Sequence, residues 1–219
     1  MKEMLDYYSK EGEHLGSMEK SEMHQKMKTE YLKKGKVSVR HKDVKLILMT
    51  SQGRIILQRR SKWKGMNSGL WDKTIGGHIR KGDQTDLAML KECSEELGIP
   101  ATIVPESEFE NAVSTTNLQI LGILKKLVYL DNFQSKRTDP DGNSWIEPAM
   151  TQFYIGYYDG PIRFVDSESS GIEVFSLDEL NTEIKNAPDN YTEDIKVMLH
   201  RFKDYLKPAT TYTPHVLND

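Results

Sequence analysis

The stretch Gly76-Gly77-His78-Ile79-Arg80-Lys81-Gly82-Asp83-Gln84-Thr85-Asp86-Leu87, continuing as Ala88-Met89-Leu90-Lys91-Glu92-Cys93-Ser94-Glu95-Glu96-Leu97-Gly98-Ile99, decides how this chain is read. Its second half predicts a helix over 83–98. Leu87, Leu90, Cys93 and Leu97 form one apolar stripe, and Gly98 followed by Pro100 supplies the stop. On such a helix Glu92, Glu95 and Glu96 stand at i, i+3 and i+4, so three carboxylates share a face, expected to point away from the stripe. Carboxylates this close raise one another's pKa unless a positive charge sits among them. Mg²⁺ or Mn²⁺ is the natural neutraliser, because hard cations take carboxylate oxygens and complete their shell with water and phosphate. The cluster would then polarise a phosphoryl oxygen and activate water, with a carboxylate left to accept the proton. From the glutamates alone, a solvated acidic helix face is the favoured reading, since Glu-rich helix faces are common.

Working outward, residues 44–49 read as a strand, Ser51-Gln52-Gly53 as a turn, and 54–58 as the returning strand. A basic exit, Arg59-Arg60-Ser61-Lys62-Trp63-Lys64, leads into a loop bearing Asn67-Ser68-Gly69, and 70–75 form a further strand stopped by Gly76-Gly77. Downstream, 118–130 and 150–158 are strands, separated by a long polar loop over 131–144. A short strand over 172–175 precedes helices over 177–186 and 192–206. Residues 1–36 are a helical extension in which Met23, Met27 and Tyr31 recur at helical spacing. That stripe packs on the rest of the domain or on a second copy, a homodimer being the expectation in the latter case. His14 and His24 lie in this segment without metal-ligand spacing and read as ordinary polar residues. One α/β domain over 37–206, with a mixed sheet and a loose tail over 207–219, is the expected organisation.

The chain has 219 residues, 30 Lys plus Arg against 33 Asp plus Glu, and a net charge of −3. That balance argues against a nucleic-acid polymer as partner and leaves room for a small phosphorylated substrate. The single cysteine, Cys93, can form neither an intrachain disulfide nor a Cys-based zinc cluster. It falls on the apolar stripe and reads as core. No stretch is apolar for long enough to span a bilayer by a helix, and the N-terminus lacks the pattern of a secretory signal, so a cytoplasmic location without membrane contact is expected.

The opening stretch resembles the signature of the Nudix hydrolases. It runs Gly77, five residues, Asp83, seven residues, Lys91-Glu92, Cys93, Ser94, Glu95-Glu96, Leu97, Gly98, Ile99. Asp83 stands where the family has Glu, and Lys91 where it has Arg. In the family those two positions form a structural ion pair, and an Asp–Lys pair keeps the signs with a shorter acid arm and no bidentate geometry. The resemblance implies an α/β/α sandwich with the box as loop–helix–loop against a mixed sheet. It also implies Mg²⁺ or Mn²⁺ held by Glu92, Glu95 and Glu96, with help from a backbone carbonyl at Gly76 or Gly77. Water would attack phosphorus in a nucleoside diphosphate derivative, with one of those glutamates or Glu147 as base. Arg59, Arg60 and Lys73 are the candidates for binding diphosphate oxygens. Only one of the two arginines should reach the site, because neighbours on a strand face opposite ways.

Around the box, Gln58-Arg59-Arg60-Ser61, Gly69-Leu70-Trp71-Asp72-Lys73-Thr74 and Gly76-Gly77-His78 resemble the branch that includes isopentenyl diphosphate isomerase. That enzyme protonates an alkene with a cysteine just before the Gly-His, where this chain has Gly76. The departure favours hydrolysis over isomerisation. His78 matches a metal-ligand position of the isomerase. An isomerase using another acid and a non-catalytic nucleotide-binding module are the two alternatives.

Overall fold

The computed structural model describes residues 2–165 and 167–209. Residues 4–19 fold as a hairpin, not as part of a helix: β1 (Met4–Tyr8) pairs antiparallel with β2 (His14–Glu19) across a turn at Ser9–Gly12. Helical spacing begins only at Met23, within α1 (Lys20–Lys34). Met23 and Met27 are fully buried and meet Leu5, Val37 and Val39 in a small core of their own. The stripe is thus consumed inside this chain, leaving those two methionines nothing to bury against a second copy. Burying side chains of this kind stabilises by about 1.5–3 kcal/mol each.

The remaining elements run β3 (Arg40–Met49), β4 (Ile55–Arg60), β5 (Trp71–Asp72), β6 (Ile75–His78), α2 (Thr85–Leu97), β7 (Ala101–Ile103) and α3 (Glu106–Thr115). They are followed by β8 (Gly122–Thr138), β9 (Ser144–Tyr157), β10 (Ser169–Phe175), α4 (Leu177–Asn186) and α5 (Glu193–Phe202). Among the described residues the strands form one mixed sheet with the path β10-β4-β3-β9-β8-β7. β3 and β9 run parallel, while β4 and β6 are antiparallel to β3. Alternation along β3 builds both layers. Val44, Leu46 and Leu48 pack toward α2, and Ile47 and Met49 pack toward α3 and α5. The chain is therefore an α/β/α sandwich. No helix among the described residues is long and apolar enough to cross a membrane.

The expected long loop over 131–144 is mostly strand. β8 continues to Thr138 and β9 starts at Ser144, so only a tight turn around Asp139-Pro140-Asp141-Gly142 remains. The strand was hidden because beyond Phe133 its inward residues are polar: Ser135 and Arg137 alternate with exposed neighbours just as an apolar strand would. Lys136 and Arg137 are strand residues in consequence, and Arg137 points into the protein. Of the expected tail, residues 210–219 lie outside the described residues.

Lys28 on α1 donates to Asp139 at 2.5 Å and lies 5.6 Å from the centre of the Trp145 ring, tying the helix to the β8–β9 turn. The Lys28 hydrogen bond holds the Asp139 carboxyl at about 2, against burial, which acts in the opposite direction. The contribution is complete above the unfolded value of 3.8 and is lost as pH falls through the folded value of about 2. Urea denaturation of Lys28→Met is expected to show lower stability at neutral pH and a smaller loss between about pH 4 and 2 than the wild type. An unchanged acid limb would remove this pair from the account. Separately, Met27→Ala should cost about 2–5 kcal/mol in the same measurement.

Candidate active site

The three glutamates sit on α2, but the helix is turned differently from the sequence expectation. Ala88, Met89, Cys93 and Leu97 face the core, Leu87 is 48% exposed, and Leu90 is only half-buried. The acidic face is adjacent to the apolar one rather than opposite it. Glu96 is consequently 3% exposed and accepts a hydrogen bond from Gln58 Nε2 at 3.1 Å. Glu95 stands at the mouth and pairs with Arg80 at 3.1 Å. Burial, followed by the charge of Glu95, raises the Glu92 carboxyl above its ordinary value, with Lys20 pulling the other way. All three open onto one cavity of about 360 Å³. The Asp83–Lys91 pair is made, at 2.8 Å, so the shorter acid still reaches its partner across the turn that leads into α2.

Gly76 and Gly77 lie on β6, paired to Lys45 and Val44 of β3. A Cβ at Gly77 would fall 2.1 Å from Glu92 Cδ, so the Glu92 carboxyl rests directly against the strand backbone. A Cβ at Gly76 would fall 2.4 Å from Lys73 Cε. The Lys73 chain fills the space that any side chain at position 76 would need.

Among the arginines, Arg60 lines the cavity, giving two hydrogen bonds to the Met66 carbonyl and pairing with Asp72. Arg59 projects to the outer side, where its guanidinium meets the Gly69 carbonyl and the Trp71 ring. Lys73 is buried between Asp72 at 3.0 Å and Asp194 at 3.4 Å. Lys45 joins the same network through Asp43 and Asp194. Burial alone would lower the Lys45 ammonium, and the two aspartates outweigh it and raise it. The cavity floor is thus built of charged groups paired with one another, with Asp43 Oδ1 and Asp194 Oδ1 left without a hydrogen-bond partner.

Glu147 is not an open carboxylate. It is 2% exposed, is paired with Arg137, and faces His24 at 3.0 Å, His41 at 3.1 Å and His78 at 4.0 Å. Burial pushes its carboxyl up, but Arg137 and the three imidazoles hold it well below the usual carboxylate range. His24 and His78 approach Nε2 to Nε2 at 3.1 Å, and His78 is held well below its ordinary value, chiefly by burial. His24, read from sequence as ordinary, and His41, unnoticed there, are therefore site residues. No spacing could have revealed them, because α1, β3, β6 and β9 each supply one member.

Two donor sets in this cleft fit metal ions. The carboxylates of Glu92, Glu95 and Glu96 suit a hard cation. The ligand atoms of His24, His41, His78 and Glu147 all lie within 4.8 Å of one another, a nitrogen-rich set that suits Mn²⁺ or another first-row ion better than Mg²⁺.

The α/β/α sandwich thus brings an acidic helix and buried cations to one cleft. The NUDIX domain profile matches residues 39–200. The chain belongs to the Nudix family. It is 24% identical over 192 residues to the isopentenyl-diphosphate Delta-isomerase of Serratia proteamaculans, covering 88% of this chain and 87% of that one. It is 28% identical over 111 residues to the uncharacterized Nudix hydrolase YfcD of Shigella flexneri, covering 50% and 61%. Among solved structures it is similar to DR0079 of Deinococcus radiodurans, with a TM-score of 0.62 at 19% identity over 91% of this chain and 98% of that one, a likeness of fold.

Glu147→Gln should destabilise the metal-free protein by about 3–5 kcal/mol, since it leaves the buried Arg137 guanidinium without its carboxylate. Denaturation with chelator present measures this. A loss below about 1 kcal/mol would mean that Arg137 is satisfied elsewhere.

Proposed function

We propose that this protein is a metal-dependent hydrolase that cleaves a phosphoanhydride bond in a nucleoside diphosphate derivative or related organic diphosphate. The observation that carries this reading is that the α2 glutamates open onto the same cavity as Lys73 and Arg60. A divalent cation held by Glu92, Glu95 and Glu96 would supply polarisation of the phosphoryl oxygens and activation of water. Lys73 and Arg60 supply positive charge facing the diphosphate, and their aspartate partners fix where that charge stands. The proton of the attacking water passes to a carboxylate of the trio. Glu147 does not suit that task, being occupied by Arg137 and the imidazoles; its place is with the histidines as a ligand of a second cation.

That histidine group, with the naming of relatives as isopentenyl-diphosphate isomerases, favours a second reading, an alkene isomerase. Against it stands position 76. The resemblance puts the isomerase's proton donor there, whereas this chain has a glycine backed by the Lys73 side chain.

Chromatographic assay of the phosphorylated products formed from a panel of nucleoside diphosphate derivatives and isopentenyl diphosphate, with Mg²⁺ and with Mn²⁺, separates the two. Metal-dependent hydrolysis, read as the two phosphomonoesters left by water attack on the anhydride, should fall about 100-fold or more in Glu92→Gln and Glu96→Gln, corresponding to several kcal/mol of transition-state stabilisation. Isomerisation of the alkene without phosphate release would overturn the hydrolase reading. His41→Ala should weaken Mn²⁺ binding, measured by calorimetry, by at least about tenfold, given that even groups behind a ligand are worth about 10- to 100-fold.

A further inference from the structure

The loop joining β4 to β5 is fixed at several points. Ser61 N–H donates to the Glu168 carbonyl at 2.8 Å, and Trp63 N–H donates to Ser61 Oγ at 3.2 Å. The Arg60 guanidinium holds the Met66 carbonyl. Asn67, in the left-handed region at φ 50°, donates to the Lys136 carbonyl at 3.0 Å and accepts from Thr138 N–H at 2.8 Å. Lys64 pairs with Glu168. A non-glycine residue held at positive φ by this many bonds marks a backbone determined by its surroundings.

On this anchored loop the Trp63 side chain stands outside the protein, 91% exposed, whereas Trp145 is 2% exposed. The three residues that follow it, Lys64, Gly65 and Met66, line the cavity that holds the glutamates. Lysines at 62 and 64 flank the indole. Trp63 is the most exposed of the large apolar side chains among the described residues, and in the chain it directly precedes the lining of the cleft.

We propose that Trp63 is a distal substrate subsite, its indole stacking on the heteroaromatic ring of a nucleoside diphosphate derivative whose diphosphate lies in the cavity. This rests on the diphosphate reading of the cleft and selects, among organic diphosphates, those carrying a base. Base–aromatic stacking tolerates any base, because each has a π-face. A cavity of about 360 Å³ is at the small end for a whole ligand, so a group linked beyond the diphosphate extends past the lining, toward the loop residue that precedes Lys64. Because the loop backbone is already ordered, stacking there costs little further immobilisation.

Calorimetry on the full chain with Mg²⁺ tests this, using α,β-methylene-ADP as the probe with a base and methylenediphosphonate as the probe without one. Trp63→Ala is expected to weaken the nucleotide analogue by about 5- to 100-fold while leaving the diphosphonate unchanged, and Trp63→Phe to restore most of the affinity. Equal losses for both probes would make the loop, not the ring, responsible and overturn the subsite. Unchanged nucleotide affinity in Trp63→Ala would overturn it too. Failure of the hydrolase reading looks different: wild type would cleave no anhydride bond in any member of the panel although the binding pattern held. A wild type that bound neither probe would sink both.

Discussion

The carboxylate of Glu147 is the point on which this architecture depends. A buried carboxylate is tolerable only when paired and hydrogen-bonded. Its partners come from four other elements: Arg137 from β8, His41 from β3, His78 from β6 and His24 from α1. Satisfying one charge therefore fastens the amino-terminal helix to the sheet, fixes the long β8–β9 hairpin, and sets β6 where Gly77 can touch Glu92. Such a carboxylate contributes more to arrangement than to net stability, because its Coulombic gain first has to offset desolvation.

The floor of the cleft extends the same logic. Lys45, Lys73, Arg60 and Arg137 face Asp43, Asp72, Asp194 and Glu147 among buried surroundings. Asp194 comes from α5, so the last helix contributes to the active cavity as well as to the apolar core. Charges fixed in this way are oriented before a ligand arrives, which is what electrostatic stabilisation of a phosphoryl group requires. Position 76 belongs to this arrangement too. With Lys73 occupying the space beside it, the cleft offers an ammonium where a side chain at 76 would stand.

The box on α2 was legible because its chemistry is local. Glu92, Glu95 and Glu96 lie within five residues, helical spacing places them together, and the Asp83–Lys91 pair closes a short turn. That only one of Arg59 and Arg60 faces the cleft was equally readable from strand alternation, whereas the structure decides that it is Arg60. The rotation of α2 was not. Leu87 and Leu90 look like core in a periodicity count, yet Met89 and Ala88 take that role, because the helix is turned until Glu96 reaches Gln58. Residues 131–138 look like a loop for a related reason: of their inward side chains only Phe133 is apolar, while Ser135 and Arg137 are polar, so alternation carries little hydrophobic signal.

By itself, then, the sequence determined the α/β class, the acidic helix, and the family to which the chain belongs. These follow from patterns shorter than a helix or a strand, where spacing along the chain equals spacing in space. Only the tertiary structure decided that His24, His41, His78 and Glu147 form one group, that Glu147 is held by Arg137, and that Asp194 fixes two lysines. Those contacts join residues as much as 149 positions apart, from Lys45 to Asp194. Nothing in the spacing of residues so distant carries the information, because their meeting depends on which strands pair and in what register.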